Sequence, residues 1–255
     1  IKNYDLYLME EYLIKNQIFD SHSRLTRYLM DQYLSKGNLE KVCEIFSKNQ
    51  EPLKDEYLSK FNIYCLIKTE RKEEAQLILD LKKELGFKDK YFEEKISYLL
   101  GYTTEVKKNI SEKSILDFHL AHQTNSEFIF EPEESTDKII WKYLSSFNLL
   151  SSSQEIDISE LDKIATLEKA THDKNYSEEE LFELYKRFQF NLNQLLNVRE
   201  FIKSMSNIES RALVYQKILL ESEKIERLKL LKILKDLFKK DNLENAFDAE
   251  LKIFL

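Results

Sequence analysis

Lys36-Gly37-Asn38-Leu39-Glu40-Lys41-Val42 and Thr69-Glu70-Arg71-Lys72-Glu73-Glu74-Ala75 stand 33 residues apart and share one pattern. A polar turn is followed by an amphipathic start that reaches a small apolar residue. Apolar residues flank both turns at spacings of three and four. Leu25, Tyr28, Leu29 and Tyr33 precede the first turn, and Leu39, Val42, Cys43 and Phe46 follow it. Leu58, Phe61, Cys65 and Leu66 precede the second, and Ala75, Ile78, Leu79 and Leu85 follow it. Such spacing lines one face of an α-helix. Gly37 fits a helix stop, because glycine adopts the left-handed conformation that caps the last carbonyls. Gly86 and Gly101 read as further stops, and Pro52 as a residue near a helix start, where its missing N–H costs nothing. Leu6, Met9 and Leu13 form an earlier stripe; Phe92, Ile96, Leu99 and Leu100 form a later one. Connections of a few residues make successive helices antiparallel.

The 33-residue offset resembles the tetratricopeptide pattern, in which a polar turn precedes a small residue on the second helix. Its Trp and Pro positions are absent. Gly101-Tyr102-Thr103-Thr104-Glu105-Val106 reads as a third, degenerate copy at an offset of 31. The expected fold is all-α: an α-solenoid of antiparallel helix hairpins, tetratricopeptide-like over residues 1–123. An acidic linker or docking loop is expected at 124–137 around Glu131-Pro132-Glu133-Glu134, and a second helical-hairpin region at 138–255. The two regions stand as one stack or as two helical subdomains. The alternative is an irregular helical bundle.

Composition supports this. The 255 residues include 3 Gly and 2 Pro, where ordinary usage gives about 18 and about 13. Sandwiches, barrels and glycine-rich phosphate loops are thereby excluded. Apolar residues are 42% and charged residues 33%, as in a soluble helical chain rather than a disordered one. The net charge of −7, from 39 basic and 46 acidic side chains, argues against nucleic acid as a partner. No apolar run is long enough to span a membrane. The chain starts at Ile1 and stops at Leu255 inside an apolar periodic stretch, so both ends are expected to be cuts from something longer, and the missing signal peptide is silent on compartment.

In the second half, helices are expected at 139–147, 159–171, 177–188, 192–205, 210–221 and 224–239. Ser177-Glu178-Glu179-Glu180 reads as a capping box, and Asp241-Asn242-Leu243-Glu244 as a similar start.

Catalytic chemistry finds no support. His119 and His122 share a helix face with Asp117 close by, but zinc sites need three or four ligands and no further His or Cys follows. Ordinary polar histidines are the expectation. No nucleophile elbow occurs, and the many carboxylates fall on polar faces without a distinguishable dyad. No cofactor, metal or small-molecule substrate is expected. Cys43 lies nine residues before Pro52 and Cys65 thirteen after it, on consecutive helices. With a rise of about 1.5 Å per residue the thiols reach similar heights. A disulfide then clamps the hairpin if the Cα atoms come within about 7 Å; otherwise the two are buried thiols.

Val42-Cys43-Glu44-Ile45, Leu58-Ser59-Lys60-Phe61-Asn62-Ile63-Tyr64-Cys65 and Ala75-Gln76-Leu77-Ile78-Leu79-Asp80-Leu81 resemble uncharacterised exported helical-repeat proteins of alphaproteobacteria. Those carry a Cys-Ala-Leu, a Phe-Cys and an Ala-x-Leu-x-Leu-x-Leu series. Ser210-Arg211-Ala212-Leu213-Val214-Tyr215-Gln216 is similar to their Arg-Ala-Leu-Leu-Tyr-Gln. This chain departs from them by carrying Lys, Ile, Phe and Tyr where they carry Ala and Leu. The resemblance implies an envelope-associated protein, favours periplasm over cytoplasm, and adds weight to a Cys43–Cys65 bridge. It carries over no active-site residue.

Arg211 and Gln216 interrupt an apolar stretch, as a partner contact or as intramolecular bonds. Lys224, Arg227, Lys229, Lys232, Lys235 and Lys239 make the 224–240 helix basic; it is a solvated face or a patch for an anionic membrane surface or acidic partner. The expected function is a non-enzymatic protein-interaction scaffold whose stacked helices hold a protein or peptide. The alternatives are the helical superstructure of a cell-wall-acting enzyme whose catalytic part lies elsewhere, and membrane-surface binding through the basic helix.

Overall fold

The computed structural model describes residues 6–16, 20–48, 53–133 and 135–254. The regular elements among them are helices. They are α1 (Leu6–Asn16), α2 (Ser23–Ser35), α3 (Leu39–Ser47), α4 (Glu56–Lys68), α5 (Lys72–Glu84), α6 (Lys90–Leu100), α7 (Ile115–Gln123) and α8 (Lys138–Ser146). There follow α9 (Leu161–His172), α10 (Glu178–Lys186), α11 (Leu192–Leu196), α12 (Val198–Phe201), α13 (Asn207–Leu220), α14 (Lys224–Lys240), a short 3-10 turn (Glu244–Phe247) and α15 (Ala249–Phe254). The chain is all-helical among the described residues. Ile1, Leu255 and Pro52 lie outside them; α4 begins instead where Asp55 accepts the Leu58 N–H at 3.1 Å.

The two quoted turns have the same geometry. Gly37, at φ +73°, donates its N–H to Leu34, and Asn38 donates to Tyr33. Glu70, at φ +61°, donates to Ile67, and Arg71 to Leu66. Val42 and Ala75 are both fully buried. The same pair of backbone hydrogen bonds closes α5 at Gly86, α6 at Gly101, α9 at Lys174 and α14 at Asn242.

The expected third copy is absent: Gly101 closes α6, but no helix starts directly after it. Glu94 accepts the Lys107 N–H at 2.8 Å, and the buried Lys95 ammonium donates to the Lys107 carbonyl at 2.6 Å. These bonds tie the irregular run at Lys107 to α6, and α7 begins only where Ser114 takes the Asp117 N–H. The expected 192–205 helix is two short helices and a turn. Ser177 accepts from Glu180, but the Glu180 carboxylate takes the Ser153 N–H at 2.9 Å, so the box stays half made. Asp241 caps no helix start; it is the C-terminal cap of α14, and its carboxylate accepts from Arg211 and Asn207. Complete boxes stand at Ser206–Glu209 and Asn191–Gln194.

The chain divides into two compact units, residues 1–130 with 142–147, and 131–141 with 148–255. The expected linker is thus split between them. Phe128 and Phe130 lie edge-on to Phe118 in the first unit. Glu131, Pro132 and Glu133 belong to the second. In the first unit α2 packs on α3, α3 on α4, α4 on α5 and α6, α6 on α7, and α7 returns to α2. Leu29, Leu34, Val42, Leu58, Phe61, Phe92 and Phe118 fill its core. Tyr28 and Leu85, read as core stripe, are exposed. In the second unit α13 pairs with α14 and α10 around Leu181, Leu213, Leu234 and Phe238.

Candidate functional site

The helix pair α3–α4 presents its apolar stripes to each other, with Phe46 stacked on Phe61 at 6.3 Å. Cys43 and Cys65 sit within that seam and are joined by a disulfide, their Cα atoms 5.1 Å apart. Both are buried. The bond clamps the hairpin and offers no thiol to solvent.

Helix α5 packs on α4 through Ala75 and Leu79, which are buried. Its other side carries Leu77 and Leu81, with Leu85 at the C-cap, four residues apart, at 60%, 50% and 84% exposure. Residues at i, i+4 and i+8 lie along one helix face, so α5 is apolar on two sides and only one meets the core. Glu73 and Glu74 in the first turn and Lys82 and Lys83 in the last complement the helix dipole. These charges sustain the helix while the leucines face water. The reading of Ala75, Ile78, Leu79 and Leu85 as one stripe missed this; the signal was the parallel series Leu77, Leu81, Leu85.

The basic residues of α14 do not converge. Leu230, Leu231, Leu234 and Phe238 are buried, and Lys224, Lys229, Lys232, Lys235 and Lys239 are exposed along the solvent side. Arg227 is half-buried and donates to the Glu221 carbonyl at 3.0 and 2.5 Å. Lys229 pairs with Glu226 at 2.5 Å. Glu226 and Asp236 interrupt the basic face, which reads as solvated stems over a core stripe.

Other ionisable groups are held within each unit. His119 is buried, its ring nitrogens 2.7 Å from the hydroxyls of Tyr64 and Tyr143. Burial, with His122 and Lys68 adding to it, lowers its pKa to about 3, so the ring is neutral. His122 bonds the same Tyr143 hydroxyl at 2.8 Å. Asp117 turns away from both, to Lys60 at 3.9 Å. No group of three or more His, Cys, Asp or Glu able to hold a metal occurs among the described residues.

A polar cleft of about 720 Å³ opens beside the starts of α6 and α7, lined in part by Asp89 and Asp117. Lys60 bonds Asp89, and the inner Asp117 oxygen accepts no hydrogen bond. Burial raises the Asp117 carboxyl, and the Asp89 charge adds to this against the pull of Lys60. Asp31 is raised to about 6, chiefly by burial, although Tyr57 donates to it at 2.7 Å. In the second unit Arg211 forks onto Glu168 at 2.9 and 2.5 Å and reaches Asp241 at 2.6 Å. Gln216 donates to the Tyr185 and Phe188 carbonyls at 2.8 Å. Both residues of that polar pair therefore make intramolecular bonds.

The leucine face of α5 is an uncovered apolar surface of the first unit, whereas the charged clusters answer mostly to one another. No protein-family model, curated protein or solved structure matches the chain.

Proposed function

We propose that this chain is a non-enzymatic interaction scaffold of tetratricopeptide-like helical repeats that holds a protein or peptide partner in the cell envelope. The observation that carries the reading is the α5 face of Leu77, Leu81 and Leu85. Covering each of these side chains is worth roughly 1 kcal/mol. That suits an amphipathic partner helix with apolar anchors at matching spacing. The Cys43–Cys65 disulfide supports an oxidising compartment, since such bonds are rare in the cytosol.

Position-specific photocrosslinking tests it. A benzophenone side chain at position 81, in cells making the protein, is expected to give a discrete protein adduct that Leu77→Asp abolishes. The same probe at the exposed polar position 83, on another side of α5, gives none. No adduct from position 81, or equal adducts from both, overturns the reading.

A further inference from the structure

The stretch Glu131-Pro132-Glu133 does more than connect. It forms one wall of a cleft of about 290 Å³ in the second unit, with Trp141, Ile156 and Leu167 among its apolar lining. Asp162, in the first turn of α9, stands on its rim. The cleft joins an apolar lining, including the chain's single tryptophan, to three carboxylates.

Its charge is one-sided. Lys163, the cation on the cleft, is engaged by Glu131 at 3.1 Å and lies 3.9 Å from Glu160. Glu133 and Asp162 have no cationic partner among the described residues. An anionic ligand meets repulsion here, whereas a cationic one is drawn to the exposed carboxylates. The volume lies at the small end of ligand sites, which suits one long side chain rather than a drug-sized molecule.

We infer that this cleft receives an arginine side chain from a partner polypeptide. The aliphatic stem of arginine covers the open edge of the apolar lining, and its planar guanidinium forks onto the carboxylates. Lysine supplies charge without the plane or the fork. The inference does not depend on the α5 face, which lies in the other unit.

Trp141 makes the test direct. The full chain is titrated with the capped peptide acetyl-Ala-Leu-Arg-Leu-Ala-amide while tryptophan fluorescence is followed. A saturable change is expected, about tenfold weaker for the citrulline peptide, which keeps the shape and loses the charge. Asp162→Asn with Glu133→Gln is expected to weaken the arginine peptide about tenfold, with melting temperature and circular dichroism unchanged; Leu81→Asp leaves it unaltered. No saturable change up to about 10 mM, the range of the weakest specific contacts, overturns the inference. So does equal binding of the citrulline peptide or indifference to the double substitution. Failure here with a surviving adduct at position 81 removes the cleft and not the scaffold.

Discussion

Replacing Arg211 by Leu should unfold the second unit more readily than any single surface change, and the reason lies in what is left behind. Arg211 is 2% exposed, and its fork neutralises Glu168, which is 1% exposed. The guanidinium also lies 5.3 Å from the centre of the Phe238 ring. Without it, Glu168 is a buried charge answered only by the Tyr185 hydroxyl. Removing one partner of a buried ion pair costs about 3–5 kcal/mol, a large share of the roughly 5–15 kcal/mol of a typical domain. Urea denaturation followed by Trp141 fluorescence reads it: with a slope near 2 kcal/mol/M, the midpoint should fall by about 2 M. The informative variant is Glu168→Gln, which keeps an acceptor for Tyr185 and removes the charge. Alone it should destabilise, because Arg211 loses its fork; on top of Arg211→Leu it should restore more than about 1 kcal/mol. The pH dependence follows. Burial raises the Glu168 carboxyl above its ordinary 4.5, against the opposing pulls of Arg211 and Tyr185. In Arg211→Leu the raised pKa means the folded form gains protons first, so the deficit should shrink as pH falls from 7 towards 4.5. An equal cost of Glu168→Gln in both backgrounds would refute the argument.

Three further outcomes follow from the first unit and from α14. Intact mass after alkylation without reductant should show neither Cys43 nor Cys65 labelled, and reduction should cost about 3 kcal/mol for a 22-residue separation; two labelled thiols would reject the bridge. His119 is neutral in the fold down to about 3 but protonates near 6.5 when unfolded, so its stabilising contribution is intact above pH 6.5 and falls by about 2 kcal/mol by pH 5. Asp31, raised to about 6, works the other way as pH drops. Denaturation of wild type against His119→Gln isolates the histidine, and parallel pH curves would exclude its role. Lys229→Glu with Lys232→Glu and Lys235→Glu should shift stability by less than about 1 kcal/mol, because those groups are exposed and the ion pair among them, Lys229 with Glu226, lies at the surface. Neither protein should sediment with phosphatidylserine vesicles, given the net charge of −7; wild-type sedimentation lost in the variant would restore the membrane reading.

What the sequence showed, and what it hid, divides along one physical line. Gly37 announced its turn because glycine meets little cost at positive φ. Glu70 and Lys174 adopt the same conformation, yet nothing in those letters says so, and the surrounding structure carries a cost of about 1–2 kcal/mol at each; Asn242 adopts it too, as asparagine does more readily. The run after Gly101 kept a turn and lost its helix because Glu94 and Lys95 captured the backbone of Lys107, a choice made by a neighbouring helix and invisible to local pattern. Cys43 and Cys65 could be placed at similar heights from helical rise alone, but which residues fill the seam between them is a matter of packing. The cleft around Trp141 is built from residues spread between 131 and 167, so no window of sequence contains it. Helix α5 is the sharpest case. Ala75 and Leu79 belong to the core and Leu77 and Leu81 to water, yet all four are equally apolar as text. Periodicity reports that a face is apolar and never what lies opposite it. An uncovered apolar face is therefore the feature most easily absorbed into a core on paper, and only the fold shows that Leu77 and Leu81 meet water.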